Sequence, residues 1–260
     1  MRLKNKNFII TGAAQGIGLG IAQRLASEGA VVGIADLNLE AAQGAVKQIE
    51  VNGGRAVALA VDVTNREAVQ QGIAQFVDRF GCLDGYFNNA GMNVPMPFLD
   101  VTESNWNLIL KVNGLGVLIG TQEAAKQMIK QGSGGKIINT ASIASRQGYA
   151  DFAPYCSSKA AVISLTQAGA RALADHGITV NGFAPGVVAT PLWDKLDKDL
   201  MEMGVSKKEG EAMDAFSQAI LLKRAAKPED ISGTALFLAS ADSDYITGQI
   251  ISIDGGMILV

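Results

Sequence analysis

The stretch Phe8-Ile9-Ile10-Thr11-Gly12-Ala13-Ala14-Gln15-Gly16-Ile17-Gly18 decides the fold. Phe8 to Thr11 reads as a short buried strand, and from about Ile17 to Glu28 the apolar residues take a helical period. Between the two, glycines fall in a G-x-x-x-G-x-G pattern, spaced differently from the commoner G-x-G-x-x-G. A strand that empties through glycines into a helix offers unpaired N–H groups and a helix dipole to an anion, and the glycines let a pyrophosphate approach the backbone.

Outward from this unit the alternation repeats. Strands are predicted at 31–35, 56–61, 85–87, 136–140, 179–183 and 249–253, with helices to about Asn52 and over about 66–80, 106–129 and 155–175. Each strand returns through a helix and not a hairpin, so neighbours run parallel. The strands are apolar throughout, as expected where helices cover both faces of a sheet. The expected architecture is α/β: a single-domain, doubly wound parallel sheet of about seven strands spanning 1–260. Residues 190–218, rich in Met and charge, read as a pair of helices inserted before the last helix and strand. This insert follows the strand ending near Ala184 and reads either as a lid over ligands beyond the strand ends or as ordinary amphipathic surface helices.

Composition narrows the function. The chain has 260 residues, 48% hydrophobic and 18% charged, with a formal net charge of −3 and a pI near 5.3. No basic run offers a footprint for nucleic acid or an anionic membrane. No apolar run is long enough to span a bilayer, and the first residues lack a signal-peptide pattern. Cys82 and Cys156 are too few for a disulfide framework or a structural zinc site, so a reducing, cytoplasmic setting and no metal are expected. Cys156 reads as a small helix residue, and His176, the only histidine, as a C-terminal helix cap without a catalytic role.

Four strand ends carry residues suited to one dinucleotide. Gly12, Gln15, Gly16, Ile17 and Gly18 follow the first. Asp36 ends the second, where a carboxylate accepts from ribose hydroxyls and repels a 2′-phosphate. Gln15 and Leu37 stand where an NADP enzyme would offer a cation, which favours NAD. Asp36 also suits a cap on the next helix. Asp62 and Val63 follow the third strand and can meet an adenine edge. Asn88-Asn89-Ala90-Gly91 ends the fourth.

Tyr155 and Lys159 lie four apart on a predicted helix and share a face. An ammonium beside a phenol stabilises the phenolate, so Tyr155 can exchange a proton with a substrate oxygen while hydride moves at a nicotinamide. Ser142, just past the strand at 136–140, can polarise that oxygen. Asn113-Gly114 in mid-helix is unfavourable by about 1 kcal/mol for the glycine alone, which points to a kink able to hold a water.

Taken together, 11–18, Asp62, 88–91, Asn113, Ser142, Tyr155, Lys159 and Pro185-Gly186 resemble the short-chain dehydrogenase/reductase family in order and spacing, from about residue 3 onward. The resemblance implies a Rossmann-type fold and a Ser-Tyr-Lys-Asn tetrad. Tyr155 is then the acid/base, Ser142 its partner, Lys159 sits on the ribose and on Tyr155, and Asn113 holds a proton-relay water. It further implies that Pro185, Gly186, Val188 and Thr190 lie along the nicotinamide, and that the chain pairs into a homotetramer through helices at about 106–130 and 155–175. The segments 185–193 and 242–249 resemble those of bacterial diol and polyol dehydrogenases acting on 2,3-butanediol or sorbitol. Ile143-Ala144, where butanediol enzymes tend to carry a Gln, departs from that pattern.

The expected function is therefore NAD-dependent hydride transfer to or from a small polyol, vicinal diol or hydroxyketone, with Asn93, Ile143, Tyr149 and Trp193 as substrate-pocket candidates. A 3-oxoacyl thioester reductase could run the same tetrad. The acidic residues of the insert, among them Asp194, Asp197, Asp199 and Glu202, do not suit an acidic carrier protein. A non-catalytic dinucleotide-binding sensor or scaffold is the reading from another class, opposed by the intact tetrad.

Overall fold

A computed structural model describes residues 1–259. Among the described residues, β1 (Asn7–Thr11), β2 (Val31–Asp36), β3 (Arg55–Ala60), β4 (Gly85–Asn88), β5 (Gly135–Thr140), β6 (Ile178–Pro185) and β7 (Ile250–Ile253) form one sheet. The order is β3-β2-β1-β4-β5-β6-β7, and every pairing is parallel. The strand order reverses between β1 and β4, which opens a crevice at their carboxyl ends.

Successive strand residues point to opposite faces, and each face has its own core. Phe8, Ile10, Val32, Ile34, Phe87 and Phe183 face one layer, where they meet α1 (Gly16–Ser27), α2 (Leu39–Val51) and α9 (Pro228–Ala239). Ile9, Val31, Ala35, Val57, Tyr86 and Ile137 face the other, against α3 (Arg66–Phe80), α5 (Gly116–Gln131) and α6 (Ala153–Leu173). The continuous apolar strands thus reflect burial on both sides. In the first layer α1 comes so close to α9 that a Cβ on Gly20 would sit 2.7 Å from the Cβ of Pro228.

Local chemistry sets the helix boundaries. Asn38 accepts from Ala41 N–H at the start of α2, and Asn65 accepts from Glu67 and Ala68 N–H at the start of α3. Gly132, at φ 67°, ends α5. The helix expected over 106–129 divides into α4 (Glu103–Leu110), a π turn (Lys111–Leu115) and α5. The Asn113-Gly114 pair lies inside that π turn, so the disfavoured residues coincide with the irregularity. The inserted pair of helices is α7 (Pro191–Glu202) and α8 (Glu211–Ala219).

Polar side chains cross the buried layers at one level. Asn88 on β4 donates to Asn139 Oδ1 on β5 at 2.8 Å and to Thr121 Oγ1 on α5 at 3.1 Å. Asn139 donates to Thr166 Oγ1 on α6 at 2.9 Å. These amides are buried, and each bond spares them an unsatisfied donor. No helix among the described residues is long and apolar enough to cross a membrane.

Candidate active site

The carboxyl ends of β1 to β6 converge on a cleft of about 440 Å³. The sheet order sets its sequence of groups: Asp36 at the end of β2, the glycine turn after β1, Asn89 to Gly91 after β4, and Ser142 after β5. Gly12 and Gly16 take φ of +61° and +58°, a region that suits glycine. A Cβ on Gly12 would lie 2.8 Å from Ala90 Cα, so this turn can pack against the end of β4 only without a side chain.

Asp36 holds the turn from the far side, accepting from Ala14 N–H at 3.2 Å and from Asn38 N–H at 3.1 Å. Leu37 beside it is exposed. Asp62 lines the cleft with Val63, and its Oδ1 accepts from both the N–H and the hydroxyl of Thr64 at 2.8 Å. Asn89 also lines the cleft, yet its side-chain N–H donates to the carbonyls of Thr11 and Gly12, at 2.9 and 3.2 Å. It acts as a clip between β4 and the glycine turn, a role the sequence did not disclose.

Tyr155 and Lys159 stand one turn apart on α6, and both line the cleft with Ser142. Lys159 Nζ donates to the carbonyl of Thr140 at 2.8 Å and lies 5.8 Å from the centre of the Tyr155 ring. Burial pulls its ammonium down to about 8. Burial pushes the Tyr155 phenol above its ordinary range, while a hydrogen bond with Ser142 acts the other way. The expectation that the lysine would set the phenol low is thus incomplete, because desolvation is the largest influence on both groups.

Asn113 is fully buried. Its Oδ1 accepts from Met92 N–H at 2.9 Å, and its Nδ2 donates to Met92 O at 2.8 Å and to Ser158 Oγ at 3.0 Å. Ser158 donates to the Tyr155 carbonyl at 2.7 Å. Asn113 therefore ties the loop after β4 to the first turns of α6, and a Cβ on Gly91 would come within 3.3 Å of its Oδ1 and 3.5 Å of Lys159 Nζ.

Pro185, Gly186, Val188 and Thr190 line the cleft after β6. The loop is pinned where Ala226 N–H donates to Val187 O and Ala189 N–H donates to Ala226 O, both at 2.9 Å. Of the four substrate-pocket candidates Trp193 lines the cleft. Ile143 is buried in the turn after Ser142. Tyr149 is half-buried, with its ring 5.8 Å from that of Phe216. Asn93 is buried, and its Oδ1 has no hydrogen-bond partner among the described residues. Met92, Pro191 and Leu192 also line the cleft and were not singled out from the sequence.

The family model described as Enoyl-(Acyl carrier protein) reductase matches residues 12–258. The chain belongs to the short-chain dehydrogenase/reductase family. It is 42% identical over 254 residues to a diacetyl reductase [(S)-acetoin forming] of Staphylococcus epidermidis, covering 98% of this chain and 99% of the relative. It is 41% identical over 256 residues to a sorbitol dehydrogenase of Cereibacter sphaeroides, covering 98% of each. The solved structure of NAD+-bound xylitol dehydrogenase superposes with a TM-score of 0.93 at 32% identity, over 98% of this chain and 100% of that one. Like these short-chain dehydrogenases and reductases, the chain is an oxidoreductase of the alcohol dehydrogenase/ketone reductase kind.

Proposed function

We propose that this is a cytoplasmic NAD(H)-dependent enzyme that moves hydride between the nicotinamide and a small polyol, vicinal diol or hydroxyketone. The observation that carries the reading is the presence of Ser142, Tyr155 and Lys159 in the same cleft as Asp36 and the glycine turn. The residues fit a dinucleotide: a carboxylate for ribose hydroxyls stands at one end, the N–H groups at the start of α1 follow, and proton-active hydroxyls stand at the other end. When bound, NAD supplies the hydride acceptor.

In the oxidation direction Tyr155 takes the proton of the substrate hydroxyl, and Ser142 holds the same oxygen through its own hydroxyl. Lys159, fixed by Thr140, places positive charge beside the phenol and a donor toward the ribose. Asn113 holds the loop of Met92 against α6, and the π turn around it shapes the place of a relay water. In ketone reduction Tyr155 returns its proton to the carbonyl oxygen. The exposed Leu37 beside Asp36, without a cation to meet a 2′-phosphate, supports NAD over NADP.

The test is initial-rate measurement with NAD and NADP against polyols, diols, hydroxyketones and a 3-oxoacyl thioester. NAD-linked turnover of a polyol or diol that falls at least 1,000-fold, on the order expected for loss of an acid/base group, in Tyr155→Phe, with NADH binding retained, is the expected result. Thioester reduction with NADPH would replace this reading, and NADH binding with no turnover would favour a sensor or scaffold. A homotetramer through α4–α5 and α6 is proposed with it, supported by the exposed Trp106, Leu108 and Leu115 and checked by light scattering.

A further inference from the structure

The hairpin of α7 and α8 closes on the active site through a small core of its own. Leu196, Leu200 and Ala212 from the hairpin pack with Ala144, Phe152 and Cys156, and Tyr155 itself packs against this cluster. Packed against this core, half-buried, is Phe216 of α8. Its ring lies 5.5 Å from Trp193, edge-on, 5.8 Å from Tyr149, edge-on, and 6.4 Å from Phe152, stacked. Phe216 thus joins a residue of the cleft wall, Trp193, to the 149–152 turn that leads into α6.

A buried charge sets where α8 begins. Asp197 on α7 is 4% exposed, and its carboxylate accepts from the N–H groups of Gly210 and Ala212 at the start of α8. A carboxylate there satisfies donors the helix cannot pair and complements its dipole. Phe216 follows Ala212 by one helical turn, on the same face. Asp197 therefore fixes the position from which Phe216 reaches Trp193.

The wall so made is apolar. The hairpin contributes Pro191, Leu192 and Trp193 to the cleft, and the loop after β4 contributes Met92. On the dehydrogenase reading the hydroxyls of Ser142 and Tyr155 serve the reacting oxygen, and that of Thr190 donates to Val188 O at 3.3 Å. Hydroxyls laid along Met92, Pro191, Leu192 and the face of the Trp193 ring would be desolvated without partners there, each at a cost on the order of tenfold in binding or more. Methyl or ethyl groups would gain from the same surface.

We propose that Phe216, held in place by Asp197, is a positioning residue that keeps Trp193 as an apolar wall, and that this wall selects compact, alkyl-flanked ketones and vicinal diols over extended polyols. The proposal rests on the dehydrogenase reading above and narrows its substrate class. The experiment compares kcat/KM for butane-2,3-diol and for xylitol with NAD in the wild type and in Phe216→Ala, Asp197→Ala and Asp197→Asn, with NADH affinity measured by fluorescence in each.

The wild type is expected to prefer the diol by at least about 100-fold, the product of two or more unpaired hydroxyls. Phe216→Ala is expected to lower that preference tenfold or more through KM for the diol, with kcat and NADH affinity little changed. Asp197→Ala should shift KM in the same direction, and Asp197→Asn, which keeps one of the two acceptor oxygens, should restore part of it. Equal use of xylitol by the wild type overturns the inference and leaves the dehydrogenase reading intact. An unchanged preference in folded, NADH-binding Phe216→Ala does the same. Turnover of neither compound overturns the inference alone, and the dehydrogenase reading then stands or falls on the hydroxyketones and other polyols of the wider panel.

Discussion

Replacing Lys159 by Met is expected to abolish turnover and to stabilise the protein at neutral pH. Burial brings the lysine from an ordinary 10.5 to about 8 in the folded chain, a difference worth about 3 kcal/mol between its charged and neutral forms. Between those values the unfolded chain binds the proton and the folded chain has released it, so stability rises with pH across that window. Below about pH 8 both states are protonated and the full penalty stands. Methionine carries no such penalty, but it leaves the Thr140 carbonyl without the 2.8 Å bond, a loss of about 1–3 kcal/mol. The net gain at pH 7 is therefore between about zero and 2 kcal/mol. The assay is urea unfolding of wild type and Lys159→Met at matched protein concentration from pH 7 to 9.5. Groups common to both proteins cancel in the difference, which should shrink by about 1.4 kcal/mol per pH unit above pH 8. Parallel stability curves, or a variant less stable at pH 7, would refute the claim that this ammonium is held against its solvation.

Gly12→Ala should destabilise the fold by about 1–3 kcal/mol, read as a lower melting temperature, and weaken NADH binding, because it places a Cβ 2.8 Å from Ala90 Cα at a φ of +61°; unchanged melting and binding would show that the turn tolerates a side chain. The pair Asp36→Ala and Leu37→Arg should move kcat/KM toward NADP by 100-fold or more, since it removes a repelling carboxylate and supplies a phosphate partner. A retained NAD preference in that variant would show that Asp36 does not set cofactor choice.

The fold was legible because its strands are apolar on both faces and the first six end at the cleft. The glycine spacing located the β1–α1 turn, and the awkward Asn113-Gly114 pair marked the π turn. The functions of Asn89 and Phe216 were not legible. Asn89 works through a clip to the carbonyls of Thr11 and Gly12, a contact spanning 78 residues. Phe216 lies in an amphipathic helix whose periodicity shows that one face is buried but not against what. The charge balance at Tyr155 was also hidden, since the spacing of Tyr155 and Lys159 reveals their proximity and says nothing of how deeply both are desolvated.

The buried amide ladder of Asn88, Asn139 and Thr166 bears on how the strands find their alignment. Parallel strands made of Val, Ile, Ala and Phe can slide by two residues and still bury apolar groups against apolar groups. The Asn88–Asn139 pair, directly opposite in register, ends that freedom. A slip would set each amide against hydrocarbon, at about 1–3 kcal/mol for every donor or acceptor stranded. The ladder is thus an index mark shared by β4, β5 and the helices α5 and α6. Asn89 follows the mark by one residue just after β4, and Ser142 follows it by three just after β5, so the same bonds that set the register also fix how far each of them lies beyond it.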